Sequence, residues 1–300
     1  MGYSGRYHAA SLAAVFVALA IGILIGVGLG SDVVSGTAED LEASLESDLE
    51  ESRAEVEALE AELGEEGEFG RLAHPALVAG RLLGADVGLI ALGSLGDELT
   101  TDVREALQGT GASLAEVAVI REPPDGEALV EAAGTGAVGL SRAEALEAAS
   151  HRAGRLLVEG GSRFDDLRAV LFSRYSGDPR GVDAVVVVQG RPAGLEGRDA
   201  ANTDRLEQGL VDGLHAGLRR GTTGPNLVGV ERSDAEESSV PFFVQRDVPT
   251  VDNIEELSGR VALVYALCGA EGNFGTKESA DGLLPDLLAT SGCAGLSVRG

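Results

Sequence analysis

From Tyr7 to Ser31 no side chain carries a fixed charge, and the next 37 residues, Asp32 to Glu68, hold fifteen acids against one base, Arg53. An uncharged stretch this long restricts the fold more than any other feature of the chain. At roughly 1.5 Å rise per residue, about 20 apolar residues in a helix cross a bilayer core. Leu12 to Ile21, followed by Ile23, Leu24 and Ile25, supplies such a run. Arg6 lies on the short N-terminal side and only acids lie near the far end. The positive-inside tendency then expects a single-pass membrane protein, its N-terminus cytoplasmic and its main domain extracytoplasmic. The alternative is a cleaved secretory signal, whose apolar core spans about 7–15 residues before an A-x-A-like site. Here the run is longer and ends in Gly28-Leu29-Gly30-Ser31, so a retained anchor is expected. Both readings export the rest of the chain.

Gly22, Gly26 and Gly30 recur every four residues and share one helix face. Small-xxx-small stripes let membrane helices approach closely, although glycine is also simply frequent in such helices. Beyond the anchor, Thr37-Ala38-Glu39-Asp40 reads as a capped helix start. Leu45, Leu49, Ser52, Val56, Leu59 and Leu63 then alternate spacings of four and three, a heptad seam with one polar lapse. With Leu49 at position a, Asp48 could reach Arg53 of a parallel partner, but Glu55 would face Glu60. The seam therefore fits either a marginal acidic coiled coil or a solvated single helix. A homo-oligomer through anchor and coiled coil is the expectation.

Subtracting anchor (1–31) and stalk (32–69) leaves 70–300, about 230 residues, enough for one large domain or two small ones. The net charge of −26 repels nucleic acid and anionic lipid heads. Tryptophan is absent and aromatics make up 4% of residues, so Leu, Val and Ala must fill the core. Cys268 and Cys293 could pair in an oxidising compartment, or Cys268 could be one more buried apolar residue.

Residues 85–93, 114–120, 183–189 and 227–230 read as buried strands. Helices are expected over 97–108, 141–159 and 164–174, and along the stripe Leu206, Leu210, Leu214 and Leu218, closed by Arg219-Arg220-Gly221. Asn253-Ile254-Glu255-Glu256 looks like the capped start of a last helix. Near-continuous apolar strands alternating with amphipathic helices indicate an α/β domain with a mainly parallel, doubly wound, Rossmann-like sheet.

Ligands of open α/β sheets favour the crevice beyond the strand carboxyl ends. Gly93, Gln189, Glu231, Asp252 and Asn253 mark that crevice here. Gly93-Ser94-Leu95-Gly96 resembles half of a phosphate loop or a plain strand-to-helix turn. Asp252-Asn253 could bind a cation, or Asn253 could only cap its helix. There is no G-x-S-x-G elbow, no H-x-x-x-H and no C-x-x-C, and Met1 is the single methionine. Catalytic residues and a resident cofactor are therefore not expected, and no metal-ligand set is marked.

Three parts of the chain resemble the actinobacterial MctB copper transporter family. They are Tyr7-His8-Ala9-Ala10-Ser11-Leu12 leading into the anchor and acidic helix, and two C-terminal regions. The first of these joins Gly229-Val230-Glu231-Arg232-Ser233-Asp234 to Val251-Asp252-Asn253-Ile254-Glu255-Glu256. The second is Asn273-Phe274-Gly275-Thr276-Lys277-Glu278. The resemblance implies an envelope protein of copper homeostasis and metal tolerance, described as a pore-forming exporter with copper as the transported ion. It supplies no ligand residues. One apolar span encloses a channel only as an oligomer, and soft ligands for Cu(I) are few. A dimeric scaffold presenting its α/β domain to an envelope partner, or an α/β enzyme, are the competing readings.

Overall fold

The computed structural model describes residues 4–135, 139–161, 164–177, 181–218 and 226–287. It divides into two compact units, Met1–Glu68 and Phe69–Gly300. The described residues of the first, from Ser4 on, are all helical, as part of α1 (Ser4–Val78). Its stretch Ala10–Val27 is long and apolar enough to cross a membrane, and none of it is buried. The helix continues through Thr37, where the sequence suggested a fresh start; no proline lies between Gly30 and Thr37 to stop it. Leu45, Leu49, Val56, Leu59 and Leu63 are 49% to 67% exposed, so the chain itself does not cover the heptad seam. A Cβ added at Gly22 or Gly26 would meet nothing within 4 Å, and the surroundings of Gly30 lie outside the described residues.

The second unit is a mixed α/β domain. Its strands are β1 (Asp86–Gly93), β2 (Ser113–Ile120), β3 (Phe172–Gly177), β4 (Ala184–Gly190), β5 (Leu227–Val230), β6 (Thr250–Val251) and β7 (Asn273–Phe274). They form one sheet in the order β3-β2-β1-β4-β5-β6-β7. Every neighbouring pair is parallel except β2 with β3. Successive strand residues point to opposite faces, and the sheet feeds two cores. Leu89 and Ala91 face a core closed by α2 (Asp97–Ala106) and α8 (Leu257–Leu267). Ile90 and Leu92 face a core closed by α3 (Gly126–Ala133), α4 (Arg142–Glu159), α5 (Phe164–Leu171) and α6 (Gly197–Leu218). A short helix, α7 (Val240–Val244), follows β5.

Local chemistry accounts for the helix boundaries. Ser141 caps α4 in a capping box with Glu144, and Asp125 caps α3 by accepting from the Ala128 N–H. α4 and α6 pack closely because a Cβ at Gly213 would run into the His151 backbone.

Two further expectations need correction. The helix expected over 164–174 ends at Leu171, and the chain continues as the antiparallel edge strand β3. There Phe172 and Tyr175 join Phe164 in a ring cluster with centroids 5.2–5.8 Å apart. Ring packing and pairing to β2 outweigh helical continuation. The last helix starts at Leu257 rather than Asn253, with Glu256 at its N-cap position. The Asn253 amide instead donates to Glu256 Oε2 and Ser258 Oγ, at 3.1 and 3.0 Å, so it tethers the turn before the helix. The two-residue strand β7 carries no periodic signal and was not foreseen, whereas β6 was implied only by reading Asp252-Asn253 as a strand end.

Candidate functional site

β2 leaves β1 on one side and β4 lies on the other, so the sheet switches direction between β1 and β4. In open α/β sheets ligands bind beyond the strand carboxyl ends at such a point. The five residues read from sequence all lie at carboxyl ends, but the fold sorts them into two groups with opposite electrostatics.

The first group sits beyond β5, β6 and β7. Glu231, directly after β5, accepts from Ser238 Oγ at 2.7 Å, from the Ser239 N–H at 2.6 Å and from Ser239 Oγ at 2.8 Å. Lys277 Nζ completes its shell as an ion pair. Burial pushes the Glu231 carboxyl up, but these donors together outweigh it and hold the acid below its ordinary range. Asp252, directly after β6, accepts from the N–H groups of Thr276 (2.7 Å) and Lys277 (3.2 Å). Asn253 adds the tether described above. Three separate parts of the sequence, around 231–239, 252–258 and 275–277, are thereby tied into one polar knot. Its carboxylates are already bonded to the protein's own donors.

Next to this knot, Arg232 NH1 reaches Asp102 Oδ2 of α2 at 2.7 Å, and Arg260 NH2 of α8 reaches Glu105 Oε2 at 2.7 Å. These ion pairs lock α2 and α8 against the loop after β5.

The second group lies at the switch point itself. Ser94 donates its N–H and hydroxyl to Gly190 O at 2.8 and 2.9 Å, stitching the ends of β1 and β4 together. Gly93 has φ +90°, and a Cβ there would strike Gly190 O and approach Glu122 Oε2. Glycine is used at this turn so that two backbones and a carboxylate can converge. The half-phosphate-loop reading fares poorly, because the first turn of α2 carries Asp97 and Glu98, which repel an anion.

Gln189 donates from Nε2 to Glu207 Oε2 of α6 at 2.9 Å. Arg191 pairs with Glu207 and with Asp204, the latter at 2.6 Å. Glu207 is fully buried, and its Oε1 has no partner among the described residues. Both carboxylate oxygens of Glu122, two residues past the end of β2, are likewise buried without one among the described residues. Burial, then the charge of Glu207, pushes the Glu122 carboxyl up to about 8 against the pull of Arg191. Burial also raises Glu207, although Arg191 and Gln189 oppose it.

Sequence reasoning named Gly93 and Gln189 here but missed Glu122 and Glu207. Two signals were available. Glu122 stands between the last residues of a buried strand and Pro123-Pro124, and Glu207 is an acid beside Leu206 in a leucine-striped helix. A cleft of about 940 Å³ lies beside this end of the sheet, lined by Asp125 and Val130 of the α3 region, Arg142 and Leu146 of α4, and Arg198 and Asn202 of α6.

Elsewhere, Glu116 of β2 is 1% exposed, accepts from Tyr175 OH at 3.0 Å and is pushed up by burial to about 7. Cys268 is disulfide-bonded, and the chain's other cysteine, Cys293, lies outside the described residues. Among the described residues no group of three or more His, Cys, Asp or Glu side chains is placed to hold a metal ion.

A family model described as "Copper transport outer membrane protein, MctB" matches residues 3–285. The match takes in α1, the whole sheet and both carboxylate groups. Among curated proteins, none matches the chain.

Proposed function

Because this chain belongs to the MctB family of copper transport outer membrane proteins, we propose that it is a membrane-anchored component of copper transport and homeostasis in a cell envelope. The observation that carries this reading is the extent of the match, which runs through the apolar helix, the acidic helix and the α/β domain in one order. In our reading 1–31 is a single-pass anchor with its N-terminus cytoplasmic. Residues 32–69 form an acidic coiled coil, and 70–300 is an extracytoplasmic Rossmann-like domain. Copper is the cargo, the role is non-enzymatic, and the partners are the membrane and further copies of the chain. Two features support the oligomer: the exposed heptad residues Leu45 to Leu63, and the small-residue face at Gly22 and Gly26.

Deleting the gene should change cellular copper content and tolerance. Titrating copper into the purified full-length protein should give saturable binding that survives Cys268→Ser and Cys293→Ser replacement. Unchanged cellular copper would overturn the transport role. Altered copper content without direct binding would favour the second reading, a scaffold acting on copper through a partner. That second reading draws on the self-satisfied Glu231 and Asp252 carboxylates and the uncovered seam.

A further inference from the structure

The cleft lined by α3, α4 and α6 has a volume of about 940 Å³. Small-molecule sites span about 300–1,000 Å³, so it is large enough for a ligand of drug or short-peptide size. Its walls are fixed where α3 meets α4. A Cβ at Gly126 would lie 3.6 Å from Leu146 Cδ1, and Arg142 NH2 pairs with Glu127 Oε1 at 3.3 Å. Val130, Leu140 and Leu146 give the lining its apolar part, and Leu140 is left 44% exposed.

The polar groups of the lining divide into engaged and unengaged ones. Asp125 accepts from the Ala128 N–H, Ser141 is bound into its capping box, and Glu127 is paired with Arg142. Glu131 of α3 and Arg198 and Asn202 of α6 form no side-chain hydrogen bond or ion pair among the described residues. Thr135 Oγ1 is shielded from water and has no partner among the described residues either. Arg198 and Asn202 stand four residues apart and therefore share one face of α6. A guanidinium fork with an amide donor one turn further on matches a carboxylate. Glu131 offers the acceptor for an ammonium group.

The signs of charge narrow the ligand. A purely anionic molecule would meet Asp125, Glu127 and Glu131, and a purely cationic one would meet Arg142 and Arg198. A zwitterion with an apolar body suits the acid, the arginine and the aliphatic wall together. We propose that this cleft binds a short peptide with apolar side chains and free amino and carboxyl ends. Arg198 and Asn202 take the carboxylate, Glu131 takes the ammonium, and Thr135 Oγ1 bonds to the peptide group between them. The side chains pack on Val130, Leu140 and Leu146. Arg198 and Glu131 are exposed, so water screens both contacts and the dissociation constant is modest, about 1 mM. This site is independent of copper handling, and the failure of either leaves the other standing.

The test is equilibrium dialysis of radiolabelled Leu-Leu against the full-length protein in detergent, with detergent alone as the blank. Saturable binding is expected. Acetylating the amino end or amidating the carboxyl end should each weaken it about tenfold. Arg198→Ala should abolish the discrimination between Leu-Leu and its amide while leaving the effect of acetylation intact. Glu131→Gln should do the reverse. Leu140→Ser, at an exposed position, should weaken every form of the peptide. No saturation by about 10 mM Leu-Leu would overturn the proposal. So would Arg198→Ala and Glu131→Gln proteins that discriminate as the parent does. Octanoate, an anion with an apolar tail and no amine, should compete poorly; competition equal to that of unlabelled Leu-Leu would also overturn it.

Discussion

Glu231 and Glu122 both lie just past the carboxyl end of a strand of the same sheet, yet one is bonded at every turn and the other is bare among the described residues. Glu231 has Lys277, both serines of Ser238-Ser239 and a backbone N–H, which hold it ionised. Glu122 has the charge of Arg191 to oppose burial and the charge of Glu207, and it is still pushed towards neutrality. Position in the topology is therefore not enough to define a working crevice. What separates the two ends is the supply of donors: the loops after β5 and β7 fold back onto Glu231, whereas the chain after β2 runs into Pro123-Pro124 and away. Their pH signatures have opposite signs. Glu231 contributes stability above the ordinary carboxylate range and loses it as acid reaches its lowered folded value. Glu122 favours the fold most at low pH and progressively less as pH rises from 4.5 through about 8.

The largest effect should come from Glu231→Gln. It leaves the Lys277 ammonium without its counter-charge and weakens the acceptor facing Ser239. A loss of roughly 3 kcal/mol is expected in urea unfolding at pH 7. Unchanged stability would erase the contrast between the two ends.

Next comes Glu116→Gln, which tests whether burial without enough donors acts the same way elsewhere in the sheet. The amide can still accept from Tyr175. Glu116 binds its proton more tightly in the fold, so its contribution is complete below pH 4.5 and drains away as pH rises through about 7. The variant should therefore match the parent at pH 4.5 and exceed it by about 2 kcal/mol at pH 8. A constant difference across that range would count against the buried-acid account.

The smallest effect should be Asp252→Asn, which keeps the shape but weakens two charge-assisted bonds to the Thr276 and Lys277 N–H groups. About 1 kcal/mol is expected, with faster hydrogen exchange confined to 275–278. Exchange that quickens across the whole domain would mean that Asp252 supports more than its own loop.

Much of the fold was legible because its signals are local. Val185 to Val188 is an apolar run bounded by Gly181 and Gly190, and Leu206, Leu210 and Leu214 repeat with the helical period. β7 was not legible and the bounds of β6 were not, since two residues have no period; β6 exists because Thr250 and Val251 find β5 on one side and β7 on the other. β3 was misread because residues 164–174 satisfy a helical pattern until Phe172 meets its ring partners. For the crevice, sequence placed Gly93, Gln189, Glu231, Asp252 and Asn253 at strand ends. It could not divide them into two groups, because that depends on which loops return.

By itself the sequence determined the apolar run, the acidic helix, the alternation of strands and helices and the resemblance to a copper transport family, because each is written in neighbouring residues. Only the tertiary structure decided which carboxylates are satisfied. A hydrogen-bond donor 46 residues away, as Lys277 is from Glu231, leaves no trace in local pattern. Whether a buried acid keeps its charge depends on the few ångströms around it, which the fold alone sets.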